Sequence, residues 1–125
     1  MAVVLDHTIV PAKDKVASAK FFAEIFGLTV KPGQGHFAQV QVNESLTFDF
    51  ADKPEPESHH YAFHISEAEF EAIFGRVKAK GIAYGSGPFN HTDGQIYIRR
   101  GGRGFYFEDP NGHLLEVMTV AETGS

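Results

Sequence analysis

Three short apolar runs of this chain each carry a polar residue that could do chemistry. His7 lies in VVLDHTIV, His60 in HHYAFHI and Glu116 in LLEVM. Alternation along a strand puts Glu116 on the same face as Leu114 and Met118. A carboxylate on such a face must be paired, protonated or bound to a metal. Two imidazoles with one or two carboxylates suit a borderline divalent ion: iron, manganese, nickel, cobalt or zinc. The imidazoles give affinity, the carboxylates offset the ion's charge, and open positions let substrate oxygens bind and be polarised. Asp49, in LTFDF, is the candidate fourth ligand, although a solvated strand end would explain it equally. His64 shares a face with His60 and could act as an acid or base beside the metal, or be solvated at the strand end. Tyr106, on the strand before that of Glu116, could hydrogen-bond a metal-bound substrate or cap an aromatic core. His36, His59, His91 and His113 receive no role.

These residues need elements to position them. Residues 103–119 read as a hairpin, with the aromatic run Phe105-Tyr106-Phe107, the turn Asp109-Pro110-Asn111-Gly112 and a second apolar strand from Leu114. Further back, residues 3–10 read as a strand broken by Pro11. Asp14 caps a helix whose Val16, Phe21, Ile25 and Phe26, with Phe22 alongside, lie near one face, and Gly27 ends it. A short strand over residues 28–31 follows, then strands over 37–42 and 45–51 joined by Asn43-Glu44. Residues 53–58, rich in proline and glutamate, form a linker.

The pattern then restarts. A strand over residues 59–65 leads to the capping box Ser66…Glu69 and a helix through Phe70, Ile73, Phe74 and Val77, closed by Gly81. A short strand over 82–84, a long irregular segment over 85–102 and the hairpin complete it. Both halves read strand, helix, short strand, strand, strand, which is the signature of an internal repeat. His7 falls on His60 and Gly27 on Gly81; Asp49 falls on Glu116 once an insertion is allowed in segment 85–102. That segment resembles no phosphate loop; long irregular loops are commonly lids or binding loops, and Arg99, Arg100 and Arg103 could meet an anionic substrate there, although arginines on a solvated loop are the default expectation.

Composition narrows the function. The 125 residues are 42% hydrophobic with 12 phenylalanines, enough for one domain with a filled core. A formal charge of −5 with no basic run argues against nucleic acid. With no cysteine there are no disulfides, thiolate metal sites or cysteine nucleophiles. No stretch approaches the roughly 20 apolar residues that span a bilayer, and no secretory leader is legible. The expectation is a soluble, cytoplasmic domain with no nucleic-acid or membrane partner.

Leu5-Asp6-His7, His60-Tyr61-Ala62-Phe63, Gly104-Phe105-Tyr106-Phe107 and Asp109-Pro110-Asn111-Gly112-His113 followed by Glu116 together resemble the vicinal oxygen chelate superfamily. That group includes glyoxalase I, extradiol dioxygenases, and fosfomycin and bleomycin resistance proteins. The resemblance implies an α+β fold of two βαβββ modules, about residues 1–52 and 59–120, forming a cupped mixed sheet with the helices outside. It implies one divalent metal held by His7, His60 and Glu116, a substrate-contacting Tyr106, a small oxygen-chelating substrate and a homodimer. The chemistry implied is dioxygenase-like or glyoxalase-like; the competing class is a binding cup of the bleomycin resistance type. Departures bear on the reaction. Glyoxalase I carries a glutamate where this chain has Asp49. Fosfomycin resistance proteins carry a threonine where it has Ile9, which makes fosfomycin a poor candidate substrate.

Overall fold

The computed structural model describes residues 3–32 and 35–122 and divides into two compact units, Met1–Glu57 and Ser58–Ser125. The first contains β1 (His7–Ala12), α1 (Lys15–Phe26), β2 (Ala38–Gln41) and β3 (Thr47–Asp52). Its sheet runs β1-β3-β2, with β1 parallel and β2 antiparallel to β3. Asp14 caps α1 by accepting from the Ala17 N–H at 3.1 Å, and Gly27 ends it with φ 71°. The buried stripe is Ser18, Ala19, Phe22, Ala23 and Ile25, whereas Val16 is exposed. The helix is thus rotated from the phenylalanine-centred face that the sequence suggested. Ala19 and Ala23 let it approach the sheet, where the Phe22 ring lies 5.1 Å from Phe48.

Two further expectations need correction here. The first strand begins at His7, not Val3, and runs through Pro11, which is paired with Ala51. β1 is an edge of this sheet, where a missing N–H leaves no ladder partner unsatisfied. Of the short strand over 28–31, only a bridge between Val30 and Val40 forms.

The second unit contains β4 (His60–His64), α2 (Glu67–Ala79), β5 (Tyr84–Gly85), β6 (Tyr97–Arg99), β7 (Gly102–Glu108) and β8 (Leu114–Met118). The sheet order is β4-β8-β7-β5, with β6 also paired to β7. Both halves of the Ser66–Glu69 capping box are formed. Phe70, Ile73 and Val77 are buried, and Phe70 meets Phe105 edge-on at 5.5 Å. Full burial of each such side chain stabilises the unit by about 1.5–3 kcal/mol. In the β7–β8 turn, Asp109 Oδ1 accepts from the backbone N–H groups of Asn111 and His113, both at 2.9 Å. Gly112 takes φ 84°, which a side chain would resist. His113 is wholly buried, and its Nδ1 accepts from the His59 N–H at 2.9 Å.

Segment 85–102 is not all irregular. β6 pairs with β7 around the two-residue turn Arg100-Gly101, whose φ angles of 53° and 77° suit a tight hairpin. Among the described residues, no helix is long and apolar enough to cross a membrane.

Register makes the internal repeat explicit. In the first unit Asp49 lies between Ile9 and Gln39; in the second Glu116 lies between Ala62 and Tyr106. His7 pairs with Thr47 and His60 with Leu114, each two residues before the respective carboxylate. His7 and His60, Asp49 and Glu116, and Gln39 and Tyr106 therefore occupy equivalent places.

Candidate metal centre

Alternation divides the second unit's sheet. Phe105, Phe107, Leu115 and Val117 form its buried apolar side, with Phe105 against α2. His60, Tyr97, Arg99, Tyr106 and Glu116 belong to the opposite face. Glu116 is only 5% exposed. Its Oε1 lies 3.2 Å from His60 Nε2, and its Oε2 accepts from the Tyr97 hydroxyl at 2.5 Å.

The protonation pattern of His60 follows from its other nitrogen. Nδ1 lies 3.0 Å from the Leu114 carbonyl oxygen, which can only accept. Nδ1 must therefore carry the proton. A neutral His60 then turns the Nε2 lone pair toward a carboxylate oxygen, so two acceptors face each other. That contact is favourable only with a positive charge between them, as a proton on Nε2 or a metal ion. Holding Nδ1 on a backbone carbonyl to present Nε2 is also how metal-binding histidines are oriented. His60 Nε2 and Glu116 Oε1 thus offer one nitrogen and one oxygen donor to a divalent cation.

Two phenols surround the carboxylate. Burial, then the hydrogen bond to Glu116, pushes the Tyr97 pKa far up; burial, then the Glu116 charge, raises that of Tyr106. Both remain protonated near neutrality. The Tyr106 ring stacks on His60, with centroids 5.9 Å apart, and lies 5.8 Å from Tyr97. Tyr97 can lie across β7 because residue 104 is glycine: a Cβ there would sit 2.4 Å from the Tyr97 hydroxyl and from the Val117 carbonyl oxygen. These groups, with Arg99, Arg100 and Met118, line a cavity of about 240 Å³.

The first unit offers a sparser set. His7 Nδ1 lies 2.8 Å from Asp6 Oδ2, which raises the imidazole pKa and leaves Nε2 as the nitrogen for a ligand. Asp49 is 6% exposed and accepts from the Gln39 side-chain amide at 2.8 Å. Among the described residues, no three metal-ligating side chains are gathered into one group.

Of the residues singled out by sequence, His60, Glu116 and Tyr106 meet at one cavity. His64 does not line it; its Nε2 lies 3.2 Å from the Thr119 carbonyl oxygen. Of the arginines expected on a solvated loop, Arg100 lies in the exposed β6–β7 turn, whereas Arg99 belongs to β6, exposed, and the half-buried Arg103 to β7. Arg99 has its guanidinium 4.3 Å from the Tyr97 ring centroid, and its charge offsets part of the rise in the Tyr106 pKa. Arg103 is bound by Glu67 and Glu71 of α2. Sequence reasoning missed Tyr97 altogether, and named Arg99 without placing it on a strand beside Glu116. The legible signal was YIR-RG-GRGFYF, two strand-like runs around a two-residue turn containing glycine.

The sequence profile of the Glyoxalase/Bleomycin resistance protein/Dioxygenase superfamily matches residues 4–117. The chain belongs to that superfamily. This glyoxalase-superfamily protein is 46% identical to the solved structure of Oxidase ChaP-H2, covering 97% of this chain and 96% of that one, with a TM-score of 0.91. It is 42% identical to Oxidase ChaP-H1 over 98% and 100% of the two chains, with a TM-score of 0.92. Glutathione transferase FosA of Serratia marcescens is 30% identical over 120 residues, which is 90% of this chain and 78% of that protein. The mixed α+β fold expected from sequence is that of this superfamily.

Proposed function

We propose that this protein is a divalent-metal-dependent enzyme that oxidises a small substrate bound through neighbouring oxygens. The observation that carries the reading is the His60–Glu116 pair, with Nε2 3.2 Å from Oε1 and Nδ1 turned to the Leu114 carbonyl oxygen. His60, Glu116 and His7 are the proposed ligands, with Asp49 a fourth candidate already engaged by Gln39. Oxidation is favoured over isomerase or lyase chemistry by the likeness to two oxidases. Two histidines and a carboxylate also suit ferrous iron. The reading includes a homodimer in the cytoplasm.

When bound, the metal would supply Lewis acidity to two substrate oxygens. The protein's own residues have defined tasks. Tyr97 holds Glu116 Oε2, which keeps Oε1 turned toward His60 Nε2. Leu114 fixes the imidazole tautomer. Tyr106, protonated and stacked on His60, would be placed to donate a hydrogen bond to a substrate oxygen held beside that histidine.

The test is metal content by mass spectrometry on protein purified without a histidine tag or chelator. About one iron, manganese, nickel, cobalt or zinc per chain is expected, lost by orders of magnitude in Glu116→Gln with the fold intact. With iron, dioxygen uptake with catechols is the matching assay. No metal, and none taken up on titration, would leave a binding cup without catalysis.

A further inference from the structure

Of the second unit's histidines, His113 alone is buried, at 0% exposure. A buried imidazole is costly unless its nitrogens are bonded. Nδ1 of His113 lies 2.9 Å from the His59 backbone nitrogen, whose N–H can only donate. Nδ1 is therefore the acceptor, and Nε2 carries the proton of the ring. The backbone of His113 is itself held by the turn. Asp109 Oδ1 accepts from its N–H at 2.9 Å, and its carbonyl oxygen accepts from the Asp109 N–H at 3.0 Å. The His59 ring lies 5.1 Å from the His113 ring, and the Tyr61 ring meets it edge-on at 5.9 Å.

What this arrangement holds is the start of β4. That strand ends the second unit's sheet, where it pairs with β8, and His60 is its first residue. Strand ends of this kind are where structure frays. Four consecutive contacts oppose fraying here. Ser58 Oγ donates to the Gly112 carbonyl oxygen at 2.8 Å, and the His59 N–H to His113 Nδ1 at 2.9 Å. The Leu114 N–H donates to the His59 carbonyl oxygen at 2.8 Å, and His60 Nδ1 to the Leu114 carbonyl oxygen at 3.0 Å. Residues 112–114 thus grip residues 58–60 atom by atom. On their side three of the four partners are backbone groups, which any residue supplies. The fourth is the His113 ring.

We infer that His113 is a positioning residue for His60: by accepting the His59 N–H it fixes the start of β4, and with it the imidazole that faces Glu116. The inference rests on the reading above, in that His60 is there a metal ligand. What it requires of residue 113 is an acceptor at the δ position, whereas packing alone requires only bulk. Asparagine is smaller than histidine but carries its amide oxygen at the δ position. Glutamine is closer to histidine in size but carries its amide one atom further out. The two substitutions therefore separate hydrogen bonding from packing.

The test measures wild type, His113→Asn and His113→Gln, with thermal melts confirming that each variant is folded. Zinc affinity is read by competition against a chromophoric chelator, and the histidine ring nitrogens of metal-free protein by NMR. His113→Gln should raise the zinc Kd about tenfold or more and displace the His60 ring resonances. His113→Asn should leave both close to wild type, although it empties more volume and melts lower. A role in packing alone reverses that order, and the reversed order overturns the inference. Wild-type zinc affinity and unmoved His60 resonances in both variants overturn it too, and leave the metal reading standing. If wild type takes up no zinc the metal reading fails, and the His60 resonances then decide alone: displaced in His113→Gln and kept in His113→Asn supports the inference, and any other order overturns it. Should a variant not fold, the wild-type spectrum remains decisive. The inference expects the His113 proton on Nε2, and a proton on Nδ1 overturns it.

Discussion

Replacing Tyr97 by phenylalanine removes one hydroxyl and keeps the ring that packs on Gly104 and Arg99. That hydroxyl donates at 2.5 Å to a carboxylate that is 5% exposed. A hydrogen bond to a charged group contributes about 1.5–3 kcal/mol. Losing an outer partner of a metal ligand costs about 10–100-fold in metal affinity, which corresponds to about 1.4–2.8 kcal/mol. The two independent scales agree, so a Kd raised by one to two orders of magnitude is expected for Tyr97→Phe. The assay is competition for zinc against a chromophoric chelator, with circular dichroism confirming the native fold. The same substitution in a Glu116→Gln background should have a much smaller effect, because the charged acceptor has gone. Unchanged zinc affinity in Tyr97→Phe, or an equal loss in both backgrounds, would refute a role exerted through Glu116.

Gly104→Ala tests the same contact from beneath. Its Cβ would lie 2.4 Å from both the Tyr97 ring and the Val117 carbonyl oxygen; the ring can swing away but the carbonyl cannot. We expect a loss of about 1–3 kcal/mol in urea unfolding, together with weakened zinc binding, and wild-type behaviour in both would sink the steric argument. Arg100→Asn should act in the opposite sense on stability. Relief of the left-handed arginine is expected to add up to about 1 kcal/mol, seen as a thermal midpoint raised by a few degrees, and a lowered midpoint would show that the turn is not strained.

Much of the fold was legible where one residue type has one local use. Asp14, the Ser66–Glu69 box and Gly27 marked helix ends because they satisfy backbone groups whatever the tertiary context. Asp109-Pro110-Asn111-Gly112 marked a turn for the same reason. What depended on packing was misread. The buried face of α1 is set by the small residues Ala19 and Ala23, while a reading centred on large side chains chose Val16. Pro11 looked like a strand breaker because its place at an edge is a property of the sheet and not of the local sequence. In the candidate site, the repeat singled out His60, alternation singled out Glu116, and the neighbouring strand with the family resemblance singled out Tyr106. Tyr97 was lost because segment 85–102 has no counterpart in the first half to align against, and its glycines and arginines suggested a loop.

The repeat supplies the scaffold, and the departures from it carry the chemistry. Asp49 and Glu116 hold equivalent registers, but their surroundings diverge. Asp49 receives a neutral amide from Gln39, whereas the equivalent of Gln39 in the second unit is Tyr106. Glu116 gains Tyr97 as well, from a strand with no counterpart among the described residues of the first unit. That strand is reached through a strained turn, lies over a glycine, and carries both the phenol that fixes the carboxylate and the arginine that charges the cavity. A duplicated module without β6 would keep the His60–Glu116 pair and lose the means of orienting it. On the proposed reading, the groups that distinguish the second unit's carboxylate from the first's belong to the insertion, and Tyr97 is where substitution should change the site most.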